Sequence, residues 1–193
     1  MSVFNSLIDQ AEVVKVLQEA VSSSRNIDDT TQAMTHAWLF TGPPGSGRSN
    51  AAIAFAAALV CKAGGCSECN DCLSTITGAH ADVELIKTQG LSIKIDEIRQ
   101  LISRASWAPS ISNWRVVVIE DADRLTDSAA NALLKVIEEP GLRTVWLLCA
   151  PTLTDVLPTV RSRCRHLSLR TPSTNAIANL LVSRDGIDPK VAN

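Results

Sequence analysis

Gly42-Pro43-Pro44-Gly45-Ser46-Gly47-Arg48-Ser49 follows the phosphate-loop pattern G-x-x-x-x-G-K-[ST] at every position but one, where Arg48 replaces lysine. In the intact pattern Gly42, Gly45 and Gly47 let backbone N–H groups face a phosphate chain, lysine reaches its terminal groups and Ser49 would hold magnesium. Arginine keeps the charge but exchanges a compact ammonium for a wide planar fork, so the change is not conservative in a tight cradle. Val116-Val117-Val118-Ile119 ends in Glu120-Asp121, an acidic pair of the kind that completes such a site. Its order is reversed. An active ATPase places Asp on magnesium and then Glu on the attacking water, and exchanging the two displaces each carboxylate by about an ångström, enough to cost roughly a hundredfold in rate. Both departures point away from hydrolysis, and Mg·ATP is a doubtful ligand.

A second chemistry lies in Cys61-x4-Cys66-x2-Cys69-x2-Cys72. Four thiolates fill a tetrahedral zinc shell and leave no open position, so zinc here would be structural. The competing readings are free cysteines, a redox C-x-x-C pair or an iron–sulfur cluster, since C-x2-C-x2-C also occurs in ferredoxin-type runs. His80 is a substitute ligand by type, and Lys62 would partly offset the thiolate charge.

These residues need elements to hold them. The apolar run HAWLF (36–40) leads straight into the glycine loop, and an alanine-rich segment without a breaker follows it to Cys61: strand, loop, helix. Further short apolar runs fall at 82–86, 115–120, 144–150 and 165–169, with helical spacing at 94–105 and 126–138 between them. Thr126 is placed to cap the second of these helices, and Pro140-Gly141 to stop it. Strands alternating with helices imply an α/β fold, a mostly parallel sheet covered on both faces. Before it, one amphipathic helix is expected over 6–24, followed by a polar loop. After Pro172 a new helical pattern starts with Ile177, Leu180 and Leu181, and another segment begins at Ile187. The ending therefore reads as a cut through a longer chain.

The 193 residues carry 18 Lys and Arg against 20 Asp and Glu, a net charge of −2, so no global basic field draws the chain onto nucleic acid or a membrane surface. At 46% hydrophobic and 20% charged residues the composition excludes disordered and collagen-like classes. The longest apolar run, 51–61, is far short of the ~20 residues that span a bilayer. With no basic, apolar leader at the start, a cytoplasmic protein is expected, and a reducing compartment favours metal over disulfides at the cysteine cluster.

FNSLIDQ near the start, the phosphate loop, the four-cysteine insertion, ADRLTDSAANALLKVIEEP at 122–140 and Ser162-Arg163-Cys164 together resemble the clamp-loader branch of the AAA+ ATPases, most closely the bacterial delta-prime subunits. The resemblance covers nearly the whole chain. It implies a P-loop NTPase-type five-stranded parallel sheet at 1–171, with a zinc module at 61–72, and the beginning of a helical lid at 172–193. It also implies a subunit of the DNA polymerase III ring that opens a sliding clamp and places it on primed DNA. Gamma/tau and delta subunits would be its neighbours, and the clamp an indirect partner.

In that position the subunit's own site, here Gly42, Gly45, Gly47, Arg48, Ser49, Glu120 and Asp121, is often degenerate. Its Ser-Arg-Cys arginine, Arg163, would enter the neighbour's ATP site in trans, where a guanidinium contributes ~10³ to 10⁵ in rate. Two alternatives stand beside this reading: an ATPase motor resembling gamma/tau, and an iron–sulfur or redox module on an α/β scaffold. The bland reading of Arg161, Arg163, Arg165 and Arg170 is a solvated basic edge. The sequence departs from the family at Asp9-Gln10, where Gly-Gln is usual, and at Pro151-Thr152, where active motors carry a polar sensor.

Overall fold

Apolar runs without alternation suit strands buried on both faces, and that is what they form. A computed structural model describes residues 2–26, 33–88 and 90–185. Its strands are β1 (Ala37–Thr41), β2 (Val83–Ile86), β3 (Arg115–Ile119), β4 (Thr144–Ala150) and β5 (Arg165–Ser168). All pair in parallel, in the order β2-β3-β4-β1-β5. Phe40 lies beside Cys149 on one side and Leu167 on the other, so the strand that feeds the phosphate loop is interior.

Helices α1 (Ala11–Ser23), α2 (Arg48–Val60) and α3 (Asn70–Ile76) precede β2; α4 (Ile95–Ala105), α5 (Asp127–Glu138), α6 (Pro158–Arg161) and α7 (Thr174–Asp185) follow it. Strand alternation divides the core in two. Trp38, Phe40, Val116, Val118 and Leu147 pack with Leu17 of α1 and Phe55 of α2. Leu39, Val117, Ile119, Trp146 and Leu148 face the other way, toward Leu101 of α4 and Leu133 of α5. Each fully buried leucine contributes about 1.5–3 kcal/mol. Trp38 meets Phe55 edge-on, with ring centroids 5.0 Å apart.

Thr126 caps α5 as expected, its hydroxyl accepting from the Ala129 N–H at 3.3 Å. The expected helix over 6–24 is shorter than the spacing implied. Residues Val3–Ser6 form a 3-10 turn, Asp9 adopts φ 56°, and the helix begins only at Ala11. A left-handed residue cannot continue a right-handed helix, so Asp9 sets the boundary. Helices α3 and α6, of seven and four residues, had no periodic signal to announce them. Part of the expected polar loop (27–32) and the segment at Ile187 lie outside the described residues, as do the side chains of Leu180 and Leu181. No described helix is long and apolar enough to cross a membrane.

Candidate functional site

The phosphate loop leaves β1 at the C-terminal edge of the sheet, where ligands of open α/β sheets sit. Gly45 and Gly47 take φ 83° and 81°, a region closed to most side chains, and Gly47 is the residue from which α2 starts. At Gly42 the constraint is space: a Cβ would lie 2.4 Å from Ser46 Oγ and 2.8 Å from the Leu169 carbonyl oxygen. Over the loop lies a cleft of 310 Å³ bounded by Pro44, Gly45, Gly47, Arg48, Ser49 and Asn50. The sequence thus builds the cradle.

Arg48 does not point its charge into that cleft unopposed. Its Nη1 donates to the Gly42 carbonyl at 2.8 Å, tying the end of the loop to its beginning, and its Nε is buried without an acceptor among the described residues. Glu120 and Asp121 come to the same edge at the end of β3. All three groups act on the Cys149 thiol, which burial and the charges of Glu120 and Asp121 push up while Arg48 pulls the other way. The Cys149 Sγ faces the Arg48 carbonyl oxygen at 3.9 Å. Glu120 is paired with Lys87, Nζ to Oε2 3.7 Å. The loop and acidic pair therefore converge, with the loop's cation and one of the two acids already engaged.

Asp9-Gln10, where the sequence departs from the family pattern, has a long-range role. Buried Gln10 donates from Nε2 to the Arg170 carbonyl at 2.6 Å and reaches the Ser46 carbonyl of the phosphate loop at 3.5 Å. Asp9 Oδ2 accepts from the Ser173 N–H at 2.8 Å and from its hydroxyl at 2.7 Å, and these two bonds hold the carboxyl below its usual range. The N-terminal turn is thereby fastened to both the loop and the segment entering α7.

The four cysteines meet between α2 and α3. Their Sγ atoms all lie within 4.8 Å of one another, Cys61 to Cys66 3.8 Å and Cys61 to Cys69 3.6 Å. Tetrahedral zinc with Zn–S near 2.3 Å requires sulfurs about 3.8 Å apart, so the set could hold such an ion. Cys69 and Cys72 N–H groups each donate to the preceding thiol of the set at 3.4 Å. Burial alone would raise the Cys61 thiol, but N–H groups of Cys66, Gly65 and Ala63 pull it down to about 6; burial dominates at Cys72 and raises it.

His80 is not part of the set. Its Nδ1 accepts from the Asp82 N–H at 3.0 Å and its Nε2 faces Asp71 at 3.7 Å. Arg25, unremarked in the sequence, donates to the carbonyls of Cys61 and Lys62 and sets a cation against the thiol loop.

Arg163 stands just past α6, 38% exposed at its side chain, with Nε donating to Glu138 of α5. Arg165 behaves differently, stacking 4.9 Å above the Trp38 ring and donating to the Ala33 carbonyl. Arg163 and Arg165 thus differ in their surroundings.

Sheet order, phosphate loop and helices on both faces define an AAA+ P-loop fold. A crystal structure of a gamma subunit-related DNA polymerase III protein from Thermotoga maritima superposes with a TM-score of 0.60 at 23% identity, covering 91% of this chain and 50% of that one. The Holliday junction branch migration motor RuvB of the same organism superposes at 0.65 and 17% identity, covering 97% of this chain and 56% of that chain.

A sequence model described as "DNA polymerase III, delta subunit" matches residues 10–173, and the chain belongs to that family. The Bacillus subtilis delta' subunit of DNA polymerase III is 33% identical over 186 residues, 95% of this chain and 54% of its own length. The Pseudomonas aeruginosa delta' subunit is 35% identical over 147 residues, 73% of this chain and 45% of its own. A Mycobacterium tuberculosis gamma/tau subunit is 33% identical over 165 residues, 83% of this chain and 28% of its own. The chain spans about half the length of the delta' relatives it matches.

Proposed function

We propose that this chain is the nucleotide-fold portion of a non-hydrolysing clamp-loader subunit of DNA polymerase III. It supports placement of a sliding clamp on primed DNA and lends Arg163 to the ATP site of a neighbouring ATPase subunit. The observation that carries this is the Arg48 guanidinium bonded to the Gly42 carbonyl, a loop cation tied to its own backbone. Reversed Glu120-Asp121, with Glu120 paired to Lys87, supports the same conclusion. Gly42, Gly45, Gly47, Arg48, Ser49, Glu120 and Asp121 form a degenerate nucleotide site that does not hydrolyse ATP, and Mg·ATP is a doubtful cofactor there.

The cysteine set holds structural zinc, with Cys61, Cys66, Cys69 and Cys72 as ligands. Its chemistry is cross-linking: it joins the end of α2 to the start of α3. Residues 1–171 are the core and 172–193 begin a lid. Gamma/tau and delta subunits are the partners, the clamp and primed DNA are met through the assembled ring, and the setting is the bacterial cytoplasm. DNA contact made through phosphates is strongly salt-dependent.

The test is a loader reconstituted from the full-length subunits. Arg163→Ala should leave assembly intact, as read by gel filtration, and lower ATP turnover at least tenfold, a fraction of the ~10³ to 10⁵ that such arginines contribute at the site they serve. Unchanged turnover removes the finger role.

A further inference from the structure

The Arg163 guanidinium is gripped on two of its edges. Nε donates to Glu138 Oε1, and Nη1 donates to the Thr159 carbonyl at 2.8 Å and to Ser162 Oγ at 3.4 Å. Nη2 has no partner among the described residues. Glu138 closes α5, whose opposite face is anchored by buried Leu133 and Ile137, so its carboxylate projects from a rigid element. The pair is exposed, 38% and 47% at the two side chains. An exposed pair of this kind contributes little to stability. Its consequence is orientation: together with the bonds to Thr159 and Ser162 it favours one direction for a long side chain.

We propose that Glu138 is a positioning residue for Arg163, fixing the plane of the guanidinium so that the Nη2 edge is presented outward to a phosphate group carried by the adjoining subunit. This rests on the finger role assigned above to Arg163. With Nε held by Glu138 and Nη1 by Thr159 and Ser162, Nη2 remains as the donor of the fork. Pairing also cancels much of the long-range charge of Arg163, so the contact depends on close, directed hydrogen bonds. Such donors act where charge develops in a transition state more than on the bound ground state. Loss of Glu138 therefore shows in kcat and not in the KM for ATP.

The experiment uses the full reconstituted loader with clamp and primed DNA, with assembly of each variant checked by gel filtration. Glu138→Ala should lower kcat about tenfold with KM unchanged, a fraction of the roughly hundredfold that a 1 Å misplacement can cost. Glu138→Gln, which keeps an acceptor for Nε, should recover most of the rate. Glu138→Asp, which keeps the charge but draws the acceptor back, should lose about threefold by the same misplacement argument.

On an Arg163→Ala background, Glu138→Ala should cost nothing further. Equal losses in both backgrounds would make Glu138 merely structural. A parent rate for Glu138→Ala and Glu138→Asp, with Arg163→Ala impaired, would overturn the positioning role alone. A parent rate for Arg163→Ala would overturn the finger role and this inference together.

Discussion

Arg48→Lys is the substitution that most directly probes how the phosphate loop is closed. Arg48 Nη1 donates to the Gly42 carbonyl at 2.8 Å, and a phosphate that engages this edge of the fork must break that bond. Hydrogen bonds from charged donors contribute about 1.5–3 kcal/mol, and at about 1.4 kcal/mol per factor of ten the self-pairing weakens anion binding roughly 10- to 140-fold. A lysine ammonium is a compact point charge on a thin stem with three rotatable donors, so it can face a phosphate while still meeting the loop carbonyl. The variant should bind Mg·ATP at least tenfold more tightly than the parent. Equilibrium titration of both proteins by calorimetry, at one fixed salt concentration and with the chain used at full length, measures the difference. Equal affinities, whether both tight or both immeasurable, would refute the argument that the Arg48–Gly42 bond closes the site.

Two other expectations follow from groups away from the loop. Asp82 is fully buried and accepts from the N–H groups of Ser110, Ile111 and Ser112 at 2.6–2.8 Å and from the Ser112 hydroxyl at 3.1 Å. Burial would raise its pKa, but these donors prevail and hold it at about 2. A carboxyl depressed on folding adds stability above its unfolded pKa of about 3.9 and loses it as pH falls toward 2, here on the order of 2–3 kcal/mol. Urea unfolding should show this acid limb, and Asp82→Asn should flatten it while lowering stability at neutral pH; an unchanged limb would show the cluster to be inert.

The purified protein should be colourless and carry one zinc. Chelation, or Cys72→Ala, should lower the thermal midpoint by about 5–10 °C, the shift expected for a loss of roughly 2–3 kcal/mol in a chain of this size. Visible absorption with bound iron would identify a cluster instead.

The parts legible in the sequence are those whose physics is local. Parallel strands buried on both faces must be apolar throughout, and VVVI or VWLLCA between turn residues can hardly be read otherwise. The glycine loop and the cysteine set are also contiguous, and their spacing states their chemistry. By contrast, α3 is one short helix inside the cysteine cluster, too brief for periodicity to register. The start of α1 depends on Asp9 taking a left-handed conformation, in which its carboxylate holds Ser173.

The same holds at the site. Gln10 with Ser46 and Arg170, Asp82 with residues 110–112, and Glu138 with Arg163 are contacts between distant segments. Their residue types are ordinary surface choices until the fold brings them together. The motifs mark one partner, Arg163 or the phosphate loop, but nothing local marks Glu138 or Asp82 as the other.

The strand order also dictates when the molecule can form. Between β1 and its first neighbour, β4, lie more than a hundred residues, and its other neighbour, β5, comes later still. A chain emerging from the ribosome therefore has Leu17 and Phe55 at hand for one face of β1, but both edges of that strand and its Leu39 side wait for later segments, while β2 and β3 can already pair. Loops of this length make closure slow, and exposed apolar strand is what aggregates in the interval. The strand that feeds the phosphate loop must wait for the last one. Any shortened version that stops before Arg165 would leave β1 as an open sheet edge, so Arg165–Ser168, though a short strand, decides whether the phosphate loop has a foundation.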